Sequence, residues 1–365
     1  MVLDGTSIIV TGGCGQIGIA IVKHLREHYP RATIAVLDLE KPMASGLRFI
    51  QNVNYYAGNV TDEAIVKEVF EAVKPVIVFH TAGLIPQIAK RLNIHSEKNY
   101  VAVNLQGTKN VLDAATAVGS VKALVFTSSA DVVKGHSWQD LAGVNESIAI
   151  PEVFDNPYAN SKALAESFVL ESSTASLPTT AIRTHAVFSA NDENLVPLIL
   201  SAPRNIHLGP GSNLYDFTYA PNLALAHVLA AENLLSVTPA EASNSLSAAG
   251  KAFFVTNSEP MPFRSFTKML WAAFDANGSS PQAPAKGITI PTPVALCLTW
   301  ISEKIAKLLG KEPFLTVKDL GDGFAQRWFD NTAAKTVLGY EPTISLEQGL
   351  KETATSYVDG KKSLP

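Results

Sequence analysis

One turn between a strand and a helix constrains this chain more than any other feature. Ser7-Ile8-Ile9-Val10 is a short, apolar, β-branched run that reads as a buried strand. Thr11-Gly12-Gly13-Cys14-Gly15-Gln16-Ile17-Gly18 follows, and Ile19-Ala20-Ile21-Val22 with Leu25 continues at helical spacing. Strand, glycine turn and helix in that order open a dinucleotide-binding βαβ unit. Gly12, Gly15 and Gly18 let the backbone approach a pyrophosphate. The helix N-terminus, with Gln16 and Ile17 in its first turn, offers N–H donors and the positive end of a dipole.

A second strand, Thr33 to Leu37, ends at Asp38, twenty residues after Gly18. A carboxylate there grips a ribose 2′-hydroxyl. Leu39, Glu40 and Lys41 come next, with no arginine close by, and Asp38 and Glu40 would repel a 2′-phosphate. The expected cofactor is NAD rather than NADP.

The chain goes on alternating. Val53 to Ala57 reads as a third strand, and Thr61 or Asp62 caps a helix running to Val73. Val76 to His80 is a fourth strand, Asn99 to Val118 a long helix, Ala123 to Phe126 a fifth strand, Pro157 to Ser173 a helix and Thr180 to Arg183 a sixth strand. This order implies an α/β fold: a Rossmann, doubly wound parallel sheet with helices on both faces. Ligands then bind beyond the C-terminal ends of the strands. Asn59, Val60, Thr81, Ala82, Gly83, Thr127 and Ser129 fall there and are expected to line the cofactor site. Past residue 185 the alternation loosens. Residues 1–185, completed by 215–256, are expected to form the NAD-binding domain. Residues 186–214 and 257–358 would form a smaller C-terminal substrate-binding lobe, and 359–365 a tail.

Composition excludes more than it selects. A net charge of −4 over 365 residues, without a basic stripe, gives no electrostatic case for nucleic acid. Two cysteines, Cys14 and Cys297, form no disulfide framework and suit a reducing compartment. No His, Cys and carboxylate cluster has metal-ligand spacing, so no metal is expected. The opening residues show no signal peptide, and no stretch has the ~20 apolar residues of a bilayer span. The expected location is cytoplasmic. The apolar segment from Val294 to Leu309 has two readings: it roofs a hydrophobic pocket, or it rests peripherally on a membrane surface.

Tyr158 and Lys162 carry the chemistry. Residues four apart share a helix face. A phenol, with an ordinary pKa of about 10, becomes a useful base only when a nearby cation favours its ionised form. The pair, with Ser129 at the end of the fifth strand, is the candidate proton acceptor and its partners. Asp131, two residues past Ser129, is either a substrate contact or a solvated loop residue. Asn104 either shapes the backbone or holds a relay water. His80, His185 and His227 read as satisfied core histidines rather than acids or bases.

These motifs occur in the order of the extended short-chain dehydrogenases. Gly12-x-x-Gly15-x-x-Gly18, Asp38, Asn104-Leu105-Gln106-Gly107-Thr108, Thr127-Ser128-Ser129 and Tyr158-x-x-x-Lys162 all match. Tyr215-Asp216-Phe217-Thr218-Tyr219-Ala220-Pro221-Asn222 and Phe253-Phe254-Val255-Thr256-Asn257 resemble the 3β-hydroxysteroid dehydrogenase branch. The chain looks most like fungal sterol-4α-carboxylate 3-dehydrogenases (decarboxylating). The resemblance implies NAD-dependent oxidation of a secondary alcohol to a ketone, with the alcohol held between Tyr158 and Ser129. Lys162 would hold the nicotinamide ribose. It also places His185 and Val187 at the cofactor, and Leu84, Phe188, Asn191 and Tyr215 near the substrate. It implies a homodimer through the helices of 99–118 and 157–173, and allows peripheral contact with the endoplasmic reticulum membrane. A carboxyl β to the new ketone would leave as carbon dioxide without another catalytic group.

Three segments depart from that pattern. Arg183-Thr184 stands where the family has Arg-Pro, Ser189-Ala190-Asn191-Asp192 where it has a Gly-Pro-Gly-Asp-like loop, and Thr81-Ala82-Gly83 where it often has Ala-Ser-Pro. They border the nicotinamide and the substrate. The expected substrate widens to a bulky, apolar, sterol-like or terpenoid alcohol, as in secondary metabolism. An isomerase or epimerase using the same Ser/Tyr/Lys set and NAD is the alternative. The apolar character of 288–301 and the sparse charge of 186–214 speak against a nucleotide-sugar.

Overall fold

A computed structural model describes residues 3–92, 94–190, 192–236, 246–277, 287–311, 313 and 315–362. Its centre is a seven-stranded sheet of β1 (Ser7–Thr11), β2 (Thr33–Asp38), β3 (Val53–Ala57), β4 (Ile77–His80), β5 (Ala123–Ser129), β6 (Thr179–Thr184) and β7 (Ala252–Val255). In space the order is β3-β2-β1-β4-β5-β6-β7, and every pairing is parallel. The order reverses between β1 and β4, which opens a crevice at their C-terminal ends.

Alternation within the strands builds a core on each face. Ile8 and Val10 pack with Ile21, Val22 and Leu25 of the helix Gln16–His28 and with Leu223 and Ala224 of the helix Ala220–Ser236. Ile9, one residue over, points the other way. It packs with Val66, Val69 and Phe70 of Glu63–Val73 and with Val111 and Leu112 of Gly107–Val118. Asp62 caps Glu63–Val73 by accepting from the N–H groups of Ala64 and Ile65.

A separate core joins Phe188, Phe217, Phe266, Leu270, Leu346 and Leu350. Beside it, four short strands pair in the order Met261–Pro262, Leu214–Tyr215, Arg327–Phe329 and Leu141–Val144. That small sheet brings the chain after residue 325 against the loop that follows the end of β5. The last helix, Leu346–Lys362, runs into the segment expected as a tail.

The long helix expected over 99–118 is built differently. Glu97–Tyr100 is α-helical, Val101–Gln106 widens to a π-helix, and Gly107–Val118 resumes the α-helix. Asn104 sits in the widened turn with 1% exposure. π-turns of this kind concentrate at functional sites.

Candidate active site

The glycine turn is shaped by close approach. Gly12 has φ +69°, and a Cβ on it would lie 2.7 Å from the backbone of Ala82. A Cβ on Gly18 would lie 2.2 Å from the carbonyl oxygen of Gly12, so helix and turn touch through glycine alone. Gly15 is the N-cap, without a side-chain cap, and the first turn carries no acidic residue. The N–H groups of Gln16 and Ile17 therefore face the crevice uncapped by side chains. Asp38 ends β2; one carboxylate oxygen accepts from Cys14 N at 2.8 Å and the other from Leu39 N at 2.8 Å. Each oxygen keeps lone-pair capacity for a ribose hydroxyl.

Thr81 Oγ1 donates to the Thr11 and Gly12 carbonyls at 2.8 and 3.2 Å, pinning the β4 end to the glycine turn. Gln16 Nε2 donates to Val187 O at 3.2 Å, closing the other side. Val60 is buried and Asn59 exposed, with Asn59 Oδ1 accepting from Thr61 N. An uncapped helix start, a backbone cradle and a carboxylate at the β2 end fit NAD. Cys14 takes no nucleophilic role: burial and the Asp38 charge push its thiol up to about 12.

Ser129, Tyr158 and Lys162 come together beyond the end of β5. Asn156 caps the helix Pro157–Glu171 through Tyr158 N at 2.9 Å, which fixes where the tyrosine points. The Tyr158 hydroxyl faces the Ser129 side chain, which favours the ionised phenol. Burial and then Asp131 push the phenol above its ordinary range, against Ser129 and Lys134. Lys162 Nζ donates to Thr127 O at 2.6 Å and lies 4.0 Å from the centroid of the Phe126 ring. Burial pulls its ammonium down to about 7, against Glu166.

This differs from the sequence expectation, which made Lys162 the cation beside the phenol. In the structure Lys162 is committed to a main-chain carbonyl, and the cation that lowers the phenol is Lys134. Thr127 offers its carbonyl to this site while its hydroxyl bonds His227 Nε2 at 2.7 Å.

Asn104 links the tyrosine helix to the β4 end. It accepts from Leu84 N at 2.7 Å and donates to Leu84 O at 3.1 Å and Ser161 Oγ at 2.9 Å. Its Oδ1 would lie 3.3 Å from a Cβ on Gly83, and Lys162 Nζ 3.9 Å from it. His80 is fully buried between Thr11 Oγ1 at 2.6 Å and Thr108 Oγ1 at 2.9 Å, a satisfied core histidine as expected.

The expected substrate residues divide. Leu84 is buried beside Tyr100, with Tyr158 packed against the same group. Tyr215 packs its ring on His185, centroids 4.7 Å apart, and His185 Nδ1 meets Asp216 O at 2.9 Å. Asp131 pairs with Lys134 at 3.1 Å. Phe188 is elsewhere: with no exposure, it packs on Tyr219 and Phe266 in the separate core. Its two-residue strand, Val187–Phe188, pairs with Thr218–Tyr219 and turns the phenyl inward, which alternation places opposite Val187. Asn191 lies outside the described residues.

Sequence reasoning missed Lys134, Asp322 and Arg327. Lys134 and Arg327 are 4% and 1% exposed, and both reach Asp322 Oδ1, at 2.9 and 3.2 Å. The one available signal was a lysine directly after the run Ala130-Asp131-Val132-Val133, three residues past Asp131.

A parallel sheet of this order, with a tyrosine and lysine one turn apart on the helix after β5, is the short-chain dehydrogenase architecture. The comparisons narrow it. The model of the 3-beta hydroxysteroid dehydrogenase/isomerase family matches residues 9–284, and the chain belongs to that family. It is 36% identical to the decarboxylating sterol-4-alpha-carboxylate 3-dehydrogenase of Schizosaccharomyces pombe, over 98% of each chain. It is 33% identical to the 2-alkyl-3-oxoalkanoate reductase of Stenotrophomonas maltophilia, over 96% of this chain and 98% of that one. A solved UDP-glucose 4-epimerase from Thermotoga maritima superposes with a TM-score of 0.69 at 20% identity, covering 97% of this chain and 99% of that one. That last likeness is one of fold.

Proposed function

We propose that this protein is an NAD-dependent oxidoreductase that oxidises a secondary alcohol on a bulky, apolar, sterol-like or terpenoid substrate to a ketone. The observation that carries the reading is the Ser129 side chain set against the Tyr158 phenol, with Lys162 held behind them on Thr127 O, next to the glycine cradle. The family assignment and the named activity of the S. pombe relative support it.

Gly12, Gly15, Gly18, Gln16, Ile17 and Asp38 hold the cofactor's pyrophosphate and adenine ribose, with Thr81 to Gly83, Thr127, His185 and Val187 bordering the nicotinamide half. NAD, when bound, supplies the hydride acceptor and a positive ring charge. Ser129 and Tyr158 bind the substrate oxygen. Tyr158 Oη takes the hydroxyl proton as the carbinol C–H leaves with its electron pair, so the alcohol loses two electrons and two hydrogens. Lys162 holds the nicotinamide ribose, and Lys134 is the cation that favours the phenolate. Asn104 fixes the helix turn that carries both. A substrate bearing a carboxyl β to the new ketone would go on to lose carbon dioxide.

The test is NADH formation at 340 nm with 3β-hydroxysteroids, 4-carboxysterols and terpenoid alcohols. Turnover of one of them that Tyr158→Phe abolishes supports the reading. Turnover only of a nucleotide-sugar, with no net NADH, replaces it with an epimerase.

Two partners belong to the same proposal. The helix Thr292–Leu308 exposes Val294, Leu298, Ile301, Ile305 and Leu308 along one side, with Trp300 beside them and Lys304 and Lys307 on the same helix. Apolar residues, an aromatic and lysines are the equipment of a helix lying in a membrane interface. No helix among the described residues is long and apolar enough to cross a membrane. Flotation with anionic liposomes, lost in Leu298→Glu with Ile305→Glu, tests a peripheral site on the cytoplasmic face of the endoplasmic reticulum. Leu164, 46% exposed on the helix Pro157–Glu171, supports a homodimer through that helix. Light scattering would read the mass directly.

A further inference from the structure

Asp131 and Lys134 act on the Tyr158 phenol, and Asp322 and Arg327 are joined to them behind the pair. The Asp131 N–H donates to Ser129 Oγ at 3.1 Å, and the Asp131 carboxylate meets Lys134 Nζ at 3.1 Å. Lys134 Nζ also reaches Asp322 Oδ1 at 2.9 Å, and Arg327 Nη2 reaches the same oxygen at 3.2 Å. Two carboxylates stand against two cations, so the set is neutral. Both cations are committed. Lys134 lies between two carboxylates, and Arg327 spends its remaining contacts on the carbonyls of Ser137, Gln139 and Gln326. They are buried, whereas the Asp131 side chain keeps 22% exposure.

The His185 ring adds no positive charge at pH 7. Burial pulls His185, which also feels Asp131, down to about 4. The phenols of Tyr158 and Tyr215 are held neutral, each pushed above its ordinary range by burial. Asp131 is the charge that acts most strongly on the Tyr158 phenol, ahead of Lys134.

We propose that Asp131 sets the charge class of the substrate, selecting a neutral secondary alcohol over one with a carboxylate on the carbon next to the carbinol. The proposal rests on the alcohol-dehydrogenase reading above. A carboxylate on that neighbouring carbon is tethered beside the oxygen held by Ser129 and Tyr158. There it meets a like charge in a low-dielectric site, and Lys134 and Arg327, already paired, do not offset its lost hydration. An alkyl or hydroxyl substituent meets no such penalty. With a neutral substrate only the carbinol C–H and O–H bonds break, one hydride going to NAD and one proton to Tyr158. No carbon–carbon bond breaks, and the ketone itself is the product.

The experiment compares a 3β-hydroxysteroid with its 4α-carboxy analogue, reading NADH and carbon dioxide. For the unaltered protein we expect kcat/KM at least tenfold higher on the neutral alcohol. Asp131→Asn, which keeps the shape and removes the charge, should cut that ratio at least tenfold by improving the carboxylate. Asp322→Asn, remote from Ser129, frees Lys134 from one partner and should move the ratio the same way. A merely structural role would lower both substrates together. A preference for the carboxylate in the unaltered protein, or a ratio unmoved by both variants, overturns the proposal. If neither compound is oxidised, the alcohol-dehydrogenase reading fails separately. Calorimetric binding of the two ligands to the NAD complex then decides the charge selection, and equal affinities overturn it.

Discussion

Lys162 and Thr127 are joined by a 2.6 Å hydrogen bond from ammonium to main-chain carbonyl, across the face of the Phe126 ring. The bond anchors the helix Pro157–Glu171 to the end of β5 and so sets the separation of Tyr158 from Ser129. It also spends one of three ammonium donors, leaving two for ribose hydroxyls.

Tyr158→Phe should therefore lower kcat by roughly 100-fold or more, the range of a lost general base, with NAD affinity little changed. Lys162→Met should lower kcat and also weaken NAD binding. Steady-state rates alongside calorimetric NAD titration separate the two. A Phe variant with kcat within threefold of the unaltered protein would remove Tyr158 from the mechanism.

The phenol is raised by burial and by Asp131, so its basic form gains population only as pH climbs. The expected kcat/KM profile rises with pH. Asp131→Asn removes a charge that opposes the phenolate, and the rising limb should move to lower pH. A limb that stays in place would show that Asp131 exerts no field on the base.

At the other end of the crevice, Asp38 should act on affinity alone. Asp38→Ala removes the ribose contact and the Cys14 N–H acceptor, and should raise KM for NAD about tenfold while kcat holds. Gly18→Ala should do more harm, because its Cβ would lie 2.2 Å from a backbone oxygen with no side chain to give way. Fluorescence titration with NADH reads both.

Glu166 and Arg183 make a fully buried pair beneath the site. Arg183 Nε and Nη2 both bond Glu166, down to 2.6 Å, and Ser128 Oγ donates to Glu166 Oε2 at 2.6 Å. Arg183→Met strands an anion beside Lys162. We expect a stability loss of about 3–5 kcal/mol in urea denaturation, the range for breaking a buried pair from one side. Glu166→Gln with Arg183→Met should recover much of it.

What could be read ahead of the structure was whatever is written locally. The glycine turn, Asp38 and the Tyr158–Lys162 spacing each sit within one turn or one strand end, where spacing maps directly onto geometry. The π-turn at Asn104 was not readable, because it depends on Asn104 bonding Leu84, which no helical period records. Lys134 lies far along the chain from Asp322 and Arg327 and meets them only when the strand Arg327–Phe329 pairs with Leu141–Val144. Phe188 was misplaced for a related reason. A two-residue strand has too little alternation to show which side faces a core.

Asp216 yields a prediction about pH and stability. It is fully buried, its Oδ2 accepts from Phe329 N at 2.8 Å, and its Oδ1 has no hydrogen-bond partner. Burial raises its carboxyl to about 7, against the bond from Phe329 N and the nearby Thr256 side chain. The unfolded chain releases this proton near pH 4 and the folded chain holds it to about pH 7. Between those values the folded state binds more protons, so this group's contribution falls as pH rises. Across that window the linkage amounts to on the order of 4 kcal/mol, at about 1.4 kcal/mol per unit. Asp216→Asn has no such titration. Its stability relative to the unaltered protein should therefore climb steadily from pH 4 to pH 7 and level off above, as read by urea denaturation at fixed ionic strength. A difference that stays flat across that range would show that Asp216 is ionised in the folded protein throughout.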